Sequence, residues 1–576
     1  MTGTIVLTGV NDIRRPQVAE RDPVLTEVIR HALASGAEQM SIAMVRTGVS
    51  PGIYEVLDFC CALYDADIRL LGQAQHMPGF LGVLGHCVES SVAAVGGADR
   101  LEPGDVLLNT SGYDIGSHPQ DAAMIMPAFH DGELVGYAAV KAHQTDLGAK
   151  SVFCTDTTDI WQEGVIFPGV KLVRGGVLDD GIHRTLLANS RMPDSLEGDV
   201  KAVLYALRAG VGVLGKLIGK YGLDRYRGAV EEMLDHGEAL ARAALDALPD
   251  GSFTASGQID NDGIGADPVP ITVIVEKAGR DVVVDLSKAA DQTTGPTNCP
   301  LSSSLAAARV ALLPLLVPGE LINEGHLRPI RVRTRVGSQF HPVSPAPVYI
   351  QVAMGVATDL AQKAFAGFAP DDARAGCGGD ICGVALHGVG EDGRYWFSGH
   401  SHLTGQGAMA HADGGAPLMW MTMSGQKSMP AEATELRTPN IVRRWALAED
   451  SAGAGTHRGG LGLQVTYEIR RNALMMGLAE RSTSPGWGMA GGGDGQPNRM
   501  LVHYPDGRTE QIYKKTDLPL PPGTLVDIRA GGGGGWGPPG DRPAEAVHRD
   551  VEEGYLSEEQ ARRDYPHAFR APDADA

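Results

Sequence analysis

The spacing of apolar and polar positions divides the chain into segments of different kinds. Over residues 22–36, "DPVLTEVIRHALASG", apolar side chains return every three or four positions. The spacing predicts a helix closed at Gly36. Residues 53–71, "IYEVLDFCCALYDADIRLL", predict two strands around a turn at "DAD". "GDVLLNT" (104–110) and "ELVGYAAVKAH" (133–143) predict strands joined through the turn signal "HDG". Helical spacing returns from 193 to 248, between "PDSLEGDVKAVLYALRAG" and "EEMLDHGEALARAALDAL". Strand patterns follow at 270–286, "PITVIVEKAGRDVVVDL", and a helix at 301–316 after "TGPTNCP". Beyond about residue 385, short apolar runs lie among glycines, as in "GGLGLQVTYEIR" (459–470) and "GTLVDIRAGGGGGWGPPGDRP" (523–543). The tail "AEAVHRDVEEGYLSEEQARRDYP" predicts two short helices, the second opened by a capping serine, Ser557.

These segments predict a mixed α/β (α+β), multidomain fold with a glycine-rich, β-containing C-terminal region. The expected divisions are an N-terminal α/β region over 1–192 and a helical and mixed region over 193–385. A glycine-rich β region over 386–545 and a helical tail over 546–576 follow.

Composition narrows the class. The chain has 576 residues, 43% hydrophobic and 21% charged, as expected of a globular protein with large cores. With 76 glycines and 35 prolines against 5% aromatics, many turns and close backbone approaches are expected. A net charge of −21 argues against nucleic acid and anionic membrane as partners. No basic leader precedes an apolar run, and no run of 18 apolar residues stands out, so a cytoplasmic protein is expected. Seven cysteines without ribbon spacing read as reduced thiols.

Three stretches imitate sites. "GVGVLGKL" (210–217) nearly matches a phosphate-binding loop, but Leu217 replaces the hydroxyl residue, and the preceding segment reads as helix. "AGGGGGWG" (530–537) offers backbone N–H groups to a phosphate, or is a flexible or tightly packed turn. "SGHSHLTGQGAMAHADGG" (398–415) brings together His400, His402, His411 and Asp413, a second possible metal cluster or a mobile loop.

The strongest chemical signal is a doubled His-x-x-Asp spacing. His118 and Asp121 form the first pair, and His143 and Asp146 the second, at the ends of predicted strands. Imidazole and carboxylate converging there suit zinc, manganese or iron. The spacing equally allows two histidines hydrogen-bonded to nearby loop carboxylates.

The blocks around those pairs resemble the hydantoinase B/oxoprolinase family. They are "GDVLLNTSGYDIGSHPQDAAMIMPAFHDGELVGYAAVKAHQTDLGAK", "DIWQEGVIFPGVKLVRGG", "GPTNCPLSSSLAAARVAL", "INEGHLRPIRV", "GSQFHPVSPAPV" and the closing "GGGGGWGPPGDRPAEAVHRDVEEGYLSEEQARRDY". The resemblance runs from about residue 20 to 566. It implies a hydantoinase B-like fold and a divalent metal held by His118, Asp121 and His143. Asp58, in "EVLDFCCAL", is a further implied ligand. Asp146 is then a ligand or orients His143. The chain also departs from oxoprolinases. Gln144 follows His143 where they carry a second histidine, and Phe80 ends "HMPGF" where they carry "H-x-P-x-H", while His76 stays.

Members of this family work with an ATP-binding partner, hydantoinase A, sometimes fused in one chain. The resemblance therefore implies a hetero-oligomer in which ATP and magnesium belong to the partner. The leading expectation is the metal-bearing subunit of an ATP-dependent cyclic-amide hydrolase. Its small-molecule substrate, phosphorylated by the partner, meets water activated at the metal, with Asp146 or Glu163 as general base and His76 as a further catalytic candidate. The alternative, favoured by Gln144 and Phe80, is a subunit of a ketone carboxylase of the acetone or acetophenone type. A third reading is a non-catalytic scaffold.

Overall fold

The computed structural model describes residues 4–7, 22–379, 381–415 and 417–570. Two compact units result: Met1–Ala255 with Ile271–Ala361 and Met421–Lys427, and Ser256–Pro270 with Gln362–Trp420 and Ser428–Ala576.

After a short strand β1 (Thr4–Leu7), the first unit runs through α1 (Pro23–Thr47), β2 (Phe59–Asp65), β3 (Leu70–Gln73) and α2 (Pro78–Ala94). It continues through β4 (Val106–Asn109), β5 (Asp121–His130), β6 (Glu133–His143), β7 (Pro168–Arg174) and β8 (Val177–Leu178) to α3 (Pro193–Tyr221) and α4 (Leu223–Asp246). Seven strands form one sheet in the order β3-β2-β6-β5-β4-β7-β8, antiparallel at every pairing. Every residue of β2 is buried. Phe59, Cys61 and Leu63 join a core with Met40 of α1 and Val203 and Leu207 of α3. Tyr64 points the other way, to Gly85 of α2. Helices on both faces explain why "FCCALYD" lacks the alternation of a half-exposed antiparallel strand.

Two sequence expectations change here. α1 is capped by Asp22, whose carboxylate accepts the Leu25 N–H, and it runs on to Thr47 instead of ending at Gly36. Gly36 is a packing residue: a Cβ there would lie 2.7 Å from Val213 Cγ1 of α3. The turn "HDG" joins β5 to β6, so "DAAMIMPAFH" is itself a strand, and the segment read at 104–110 is the separate β4.

The near-match to a phosphate loop lies inside α3. A Cβ on Gly210 would lie 2.5 Å from Met40 Sδ and 2.8 Å from Ala138 Cβ, so this glycine lets the helix approach the sheet. α3 is long and apolar enough to cross a membrane by length and composition. Its Leu196, Val200, Val203, Leu207 and Leu214 are buried against α1 and the sheet.

A five-stranded sheet has the order β1-β12-β11-β10-β9, built from β9 (Gly251–Ile259), β10 (Val269–Ala278), β11 (Asp281–Asp285) and β12 (Ile330–Arg335). α5 (Leu301–Leu316) occupies the predicted range and packs on α2, where Gly82 meets Ala306.

The second unit contains two further sheets. One has the order β14-β13-β17-β20, from β13 (Gly383–Val389), β14 (Tyr395–His400), β17 (Ala473–Leu478) and β20 (Lys514–Leu520). The other has the order β15-β16-β21-β18-β19, from β15 (Ile441–Leu447), β16 (Leu463–Glu468), β18 (Arg499–His503), β19 (Thr509–Gln511) and β21 (Leu525–Arg529). Alternate residues such as Leu463, Val465 and Tyr467 share one core with Val384, Leu386, Met475 and Ile528. Beyond β21, the glycines of "GGGGG" form a buried extended segment. The N–H groups of Gly532, Gly533, Gly534 and Gly535 donate to the carbonyls of Gln496, Gly460, Gly376 and Gly493. A Cβ at Gly532 or Gly533 would lie 1.7 or 1.9 Å from the Ser451 or Gln406 carbonyl oxygen. The segment is therefore tightly packed, and its donors are already used. Two helices, α6 (Ala544–Glu552) and α7 (Glu558–Asp564), close the described chain, with Ser557 accepting the Gln560 N–H as expected.

Candidate metal centre

The antiparallel register places Asp121, the first residue of β5, directly opposite His143, the last of β6. Strand periodicity turns Asp121, Lys141 and His143 to one face, while Ala122, Val140 and Ala142 enter the core beneath the helices. His118 reaches the same place because the chain turns back between 118 and 121, with the Asp121 N–H donating to the His118 carbonyl at 3.0 Å.

His143 Nδ1 lies 3.0 Å from Asp121 Oδ1, and His118 Nε2 lies 3.7 Å from the same oxygen. The two imidazoles stand edge to face, 5.0 Å between centroids. One donor atom from each of the three residues lies within 4.8 Å of the others. Asp121 Oδ2 accepts from Gln351 Nε2 at 3.3 Å and lies 3.8 Å from Lys141 Nζ. That buried ammonium also donates to Ser117 Oγ at 2.9 Å and sits 3.7 Å above the Phe80 ring.

The electrostatics follow from this packing. Burial would raise the Asp121 carboxyl, but His118, Lys141 and His143 outweigh it and hold it below the usual carboxylate range. Burial pushes the His118 imidazole down to about 4 against the pull of Asp121. For His143 the lowering by burial is overcome by the hydrogen bond to Asp121 and the charge of Asp58, and its imidazole is raised. Asp58 is pushed up to about 6 by burial, and its Oδ1 is buried without a hydrogen-bond partner. It lies near His143 but outside the three-residue group.

The other candidates lie elsewhere. Asp146 is fully buried, with Arg191 Nη1 donating to Oδ1 at 2.6 Å and the Arg191 N–H donating to Oδ2 at 2.5 Å. Its carboxylate is occupied in fixing a loop. Glu163 Oε1 accepts from Thr157 Oγ1 at 2.9 Å and from the Val348 N–H at 2.8 Å, and burial pushes its carboxyl up to about 8. His76 pairs through Nε2 with Ser41 Oγ and packs its ring on Phe59.

Sequence reasoning missed the aromatic wall. Tyr349 stacks on His118 at 4.5 Å, and Phe153 meets His118 and His143 edgewise or tilted at 5.3 and 6.2 Å. Lys141 had a legible signal, a lone charge inside the apolar run "YAAVKAH". Tyr349 comes from a distant segment and had none.

The second histidine cluster does not assemble. His402 donates from Nδ1 to the Cys382 carbonyl at 2.6 Å and meets Tyr467 OH at 3.0 Å. His400 pairs with Ser398 Oγ at 2.7 Å, and Asp413 is bound by Arg542 at 2.8 Å. Among the described residues, His118, Asp121 and His143 form the one group of three such donors within reach of a common ion. All seven cysteines are buried, and none is in a disulfide.

A helix-covered antiparallel sheet carrying a His–Asp–His cluster, two of its residues buried and His143 half-buried, at one strand end defines the class of this protein. The family model for hydantoinase B/oxoprolinase matches residues 22–539, and the chain belongs to that family. It is 29% identical over 565 residues to caprolactamase subunit beta of Pseudomonas jessenii, covering 94% of this chain and 96% of that one. The crystal structure of the ATP-dependent caprolactamase from that organism superposes with a TM-score of 0.88 at 27% identity, over 95% and 96% of the chains. A 5-oxoprolinase of Pestalotiopsis fici is 30% identical over 94% of this chain and 43% of its own length. Nucleotide-free acetone carboxylase shares the fold, with a TM-score of 0.86 at 18% identity over 95% of this chain and 80% of that one.

Proposed function

We propose that this chain is the metal-bearing catalytic subunit of an ATP-dependent cyclic-amide hydrolase of the hydantoinase, oxoprolinase or lactamase type. The observation that carries this reading is the convergence of His118, Asp121 and His143 at paired strand ends. Two imidazoles and a carboxylate form a donor set suited to zinc, manganese or iron, and the unpartnered Asp58 Oδ1 offers a further oxygen. A divalent ion held there supplies Lewis acidity to a substrate oxygen or to water.

The chain's own groups prepare that place. Asp121 stays ionised, and the neutral His118 imidazole presents a lone pair. Tyr349 covers one face of the His118 imidazole, and Phe153 packs against both imidazoles, so aromatic surface borders the cluster. ATP and magnesium belong to a hydantoinase A-like partner in a cytoplasmic hetero-oligomer. That assignment is supported by the likeness to subunits of such enzymes and by the use of both glycine-rich stretches in packing. The partner phosphorylates the amide oxygen, which breaks amide resonance. One water then adds at the activated carbon, the ring C–N bond opens with the proton passing to the nitrogen, and the acyl phosphate left behind is hydrolysed by a second water to carboxylate and free phosphate.

A second reading, a ketone carboxylase subunit, is favoured by Phe80. Its ring faces Lys141 where oxoprolinases carry histidine, so this wall is apolar and cationic. A purely structural subunit is disfavoured by the complete donor set.

The test is elemental analysis of wild type and His118→Ala, combined with turnover by the complex reconstituted with its ATPase partner. About one ion per wild-type chain, depleted in the variant, and bicarbonate-independent product from a lactam or hydantoin are expected. Ketone consumption that requires bicarbonate would replace this reading with the second. Equal metal content in both proteins would remove the site.

A further inference from the structure

Beside the candidate centre lies a buried chain of hydrogen bonds whose direction is fixed at one end. The Val152 carbonyl oxygen can only accept, and Tyr349 OH donates to it at 3.5 Å. With its proton committed, the Tyr349 oxygen accepts from Gln120 Nε2 at 2.8 Å. That contact turns Gln120 Oε1 towards His118 Nδ1, 3.1 Å away. An amide oxygen has no proton to give, so His118 Nδ1 must carry one. In a neutral imidazole the lone pair then resides on Nε2, the nitrogen that faces Asp121 Oδ1.

We infer that Gln120 and Tyr349 are positioning residues that fix the tautomer and ring orientation of His118 so that Nε2 serves as the ligand atom. The inference rests on the metal reading proposed above. Its force comes from the alternative. With the proton on Nε2, the imidazole would turn an N–H towards Asp121 Oδ1, 3.7 Å away, and its lone pair would lie on Nδ1, facing away from the cluster and unavailable to an ion held there. Gln120 is fully buried, so water does not compete for its amide. Its own carbonyl accepts the Gln144 N–H at 2.6 Å, which ties the turn to the end of β6. Tyr349 restrains the same ring a second time by stacking on it with 22° between planes. Partners that hold the remote nitrogen of a metal-binding histidine commonly contribute ten- to a hundred-fold in affinity.

Two measurements test this. In the metal-free full-length chain labelled with ¹⁵N-histidine, the ring nitrogen shifts are expected to show His118 protonated on Nδ1, and protonation on Nε2 overturns the inference. In cobalt(II) titrations read by visible absorption, Gln120→Leu is expected to weaken binding by about ten- to a hundred-fold. Gln120→Glu, which keeps an acceptor at the same place, should restore affinity to within a few-fold of wild type. Tyr349→Phe, which frees the amide to rotate, should fall between them. Cobalt affinity unchanged in Gln120→Leu, or equally weak in Gln120→Glu, overturns the inference, with circular dichroism confirming that each variant is folded. Absence of cobalt binding by wild type would defeat the metal reading instead, and the histidine spectrum would still decide where the proton sits.

Discussion

Asp121 and His143 face each other across the β5–β6 pair, joined by a 3.0 Å contact between Oδ1 and Nδ1. Their distance is therefore set by sheet register and not by loop conformation. A slip of one residue would send one of them into the apolar core, so the hydrophobic pattern of the two strands also protects the centre.

If this chain acts on an intermediate made elsewhere, His143→Ala should stop product formation without stopping nucleotide cleavage. The activated substrate would then decay in water, and ADP would accumulate without product. Simultaneous measurement of both in the reconstituted complex checks this. Normal product per ADP would make the cluster structural.

Asp146 is expected to matter for stability. Arg191→Met leaves its buried carboxylate with backbone donors alone and should cost about 2–4 kcal/mol in urea unfolding. Asp146→Asn in the same background should recover part of that loss. Metal content should match wild type in both, because Asp146 is committed to Arg191 and not to the cluster. Depletion of metal in the folded double variant would make Asp146 a ligand.

Glu163 gives a prediction in pH. Burial raises its carboxyl from 4.5 in the unfolded chain to about 8, so the folded protein holds the proton more tightly. The associated stability is fully present below about pH 4.5 and is lost as pH rises to about 8. Glu163→Gln keeps an acceptor for Thr157 and Val348 but does not titrate. Its unfolding free energy should fall less than that of wild type between pH 5 and 8.5, the slopes differing by up to about 1.4 kcal/mol per pH unit. Product per ADP should be retained, and a loss of a hundred-fold or more would establish Glu163 as a general base.

The glycine assembly gives a paired prediction. Gly533→Ala drives a methyl to 1.9 Å from the Gln406 carbonyl oxygen and should cost more than about 3 kcal/mol or leave the protein insoluble. Gly540→Ala, with nothing within 4 Å of the new carbon, should shift stability by less than about 0.5 kcal/mol. Comparable melting of the two variants would contradict this packing.

Much of this architecture was legible because local pattern and tertiary packing agree. The helix over 301–316 and the cap at Ser557 are fixed by neighbours in sequence. Gly36 misled because a glycine that ends a helix and one that admits a neighbouring helix look alike until the neighbour is known. β5 was overlooked because its covered faces remove the alternation that marks a strand. In the site, His118, Asp121 and His143 were visible by spacing. The commitment of Asp146 to Arg191, and the approach of Tyr349 to His118, depend on segments distant in sequence and left no local trace.

The five consecutive glycines also raise a problem of information. Identical residues cannot specify their own alignment, since a shift by one presents the same atoms to the same partners. The address is written at the ends. Asn498 Oδ1 accepts the Gly531 N–H at 2.6 Å while its amide donates to the carbonyls of Gly378 and Glu480. At the far end, Trp536 and His457 exchange backbone hydrogen bonds in both directions. Partners drawn from positions as distant as 376 and 496 must be in place before the segment has anything to dock against. The least informative stretch of the sequence is thus held in register from outside, by the Asn498 side chain at one end and the backbone pair of Trp536 and His457 at the other.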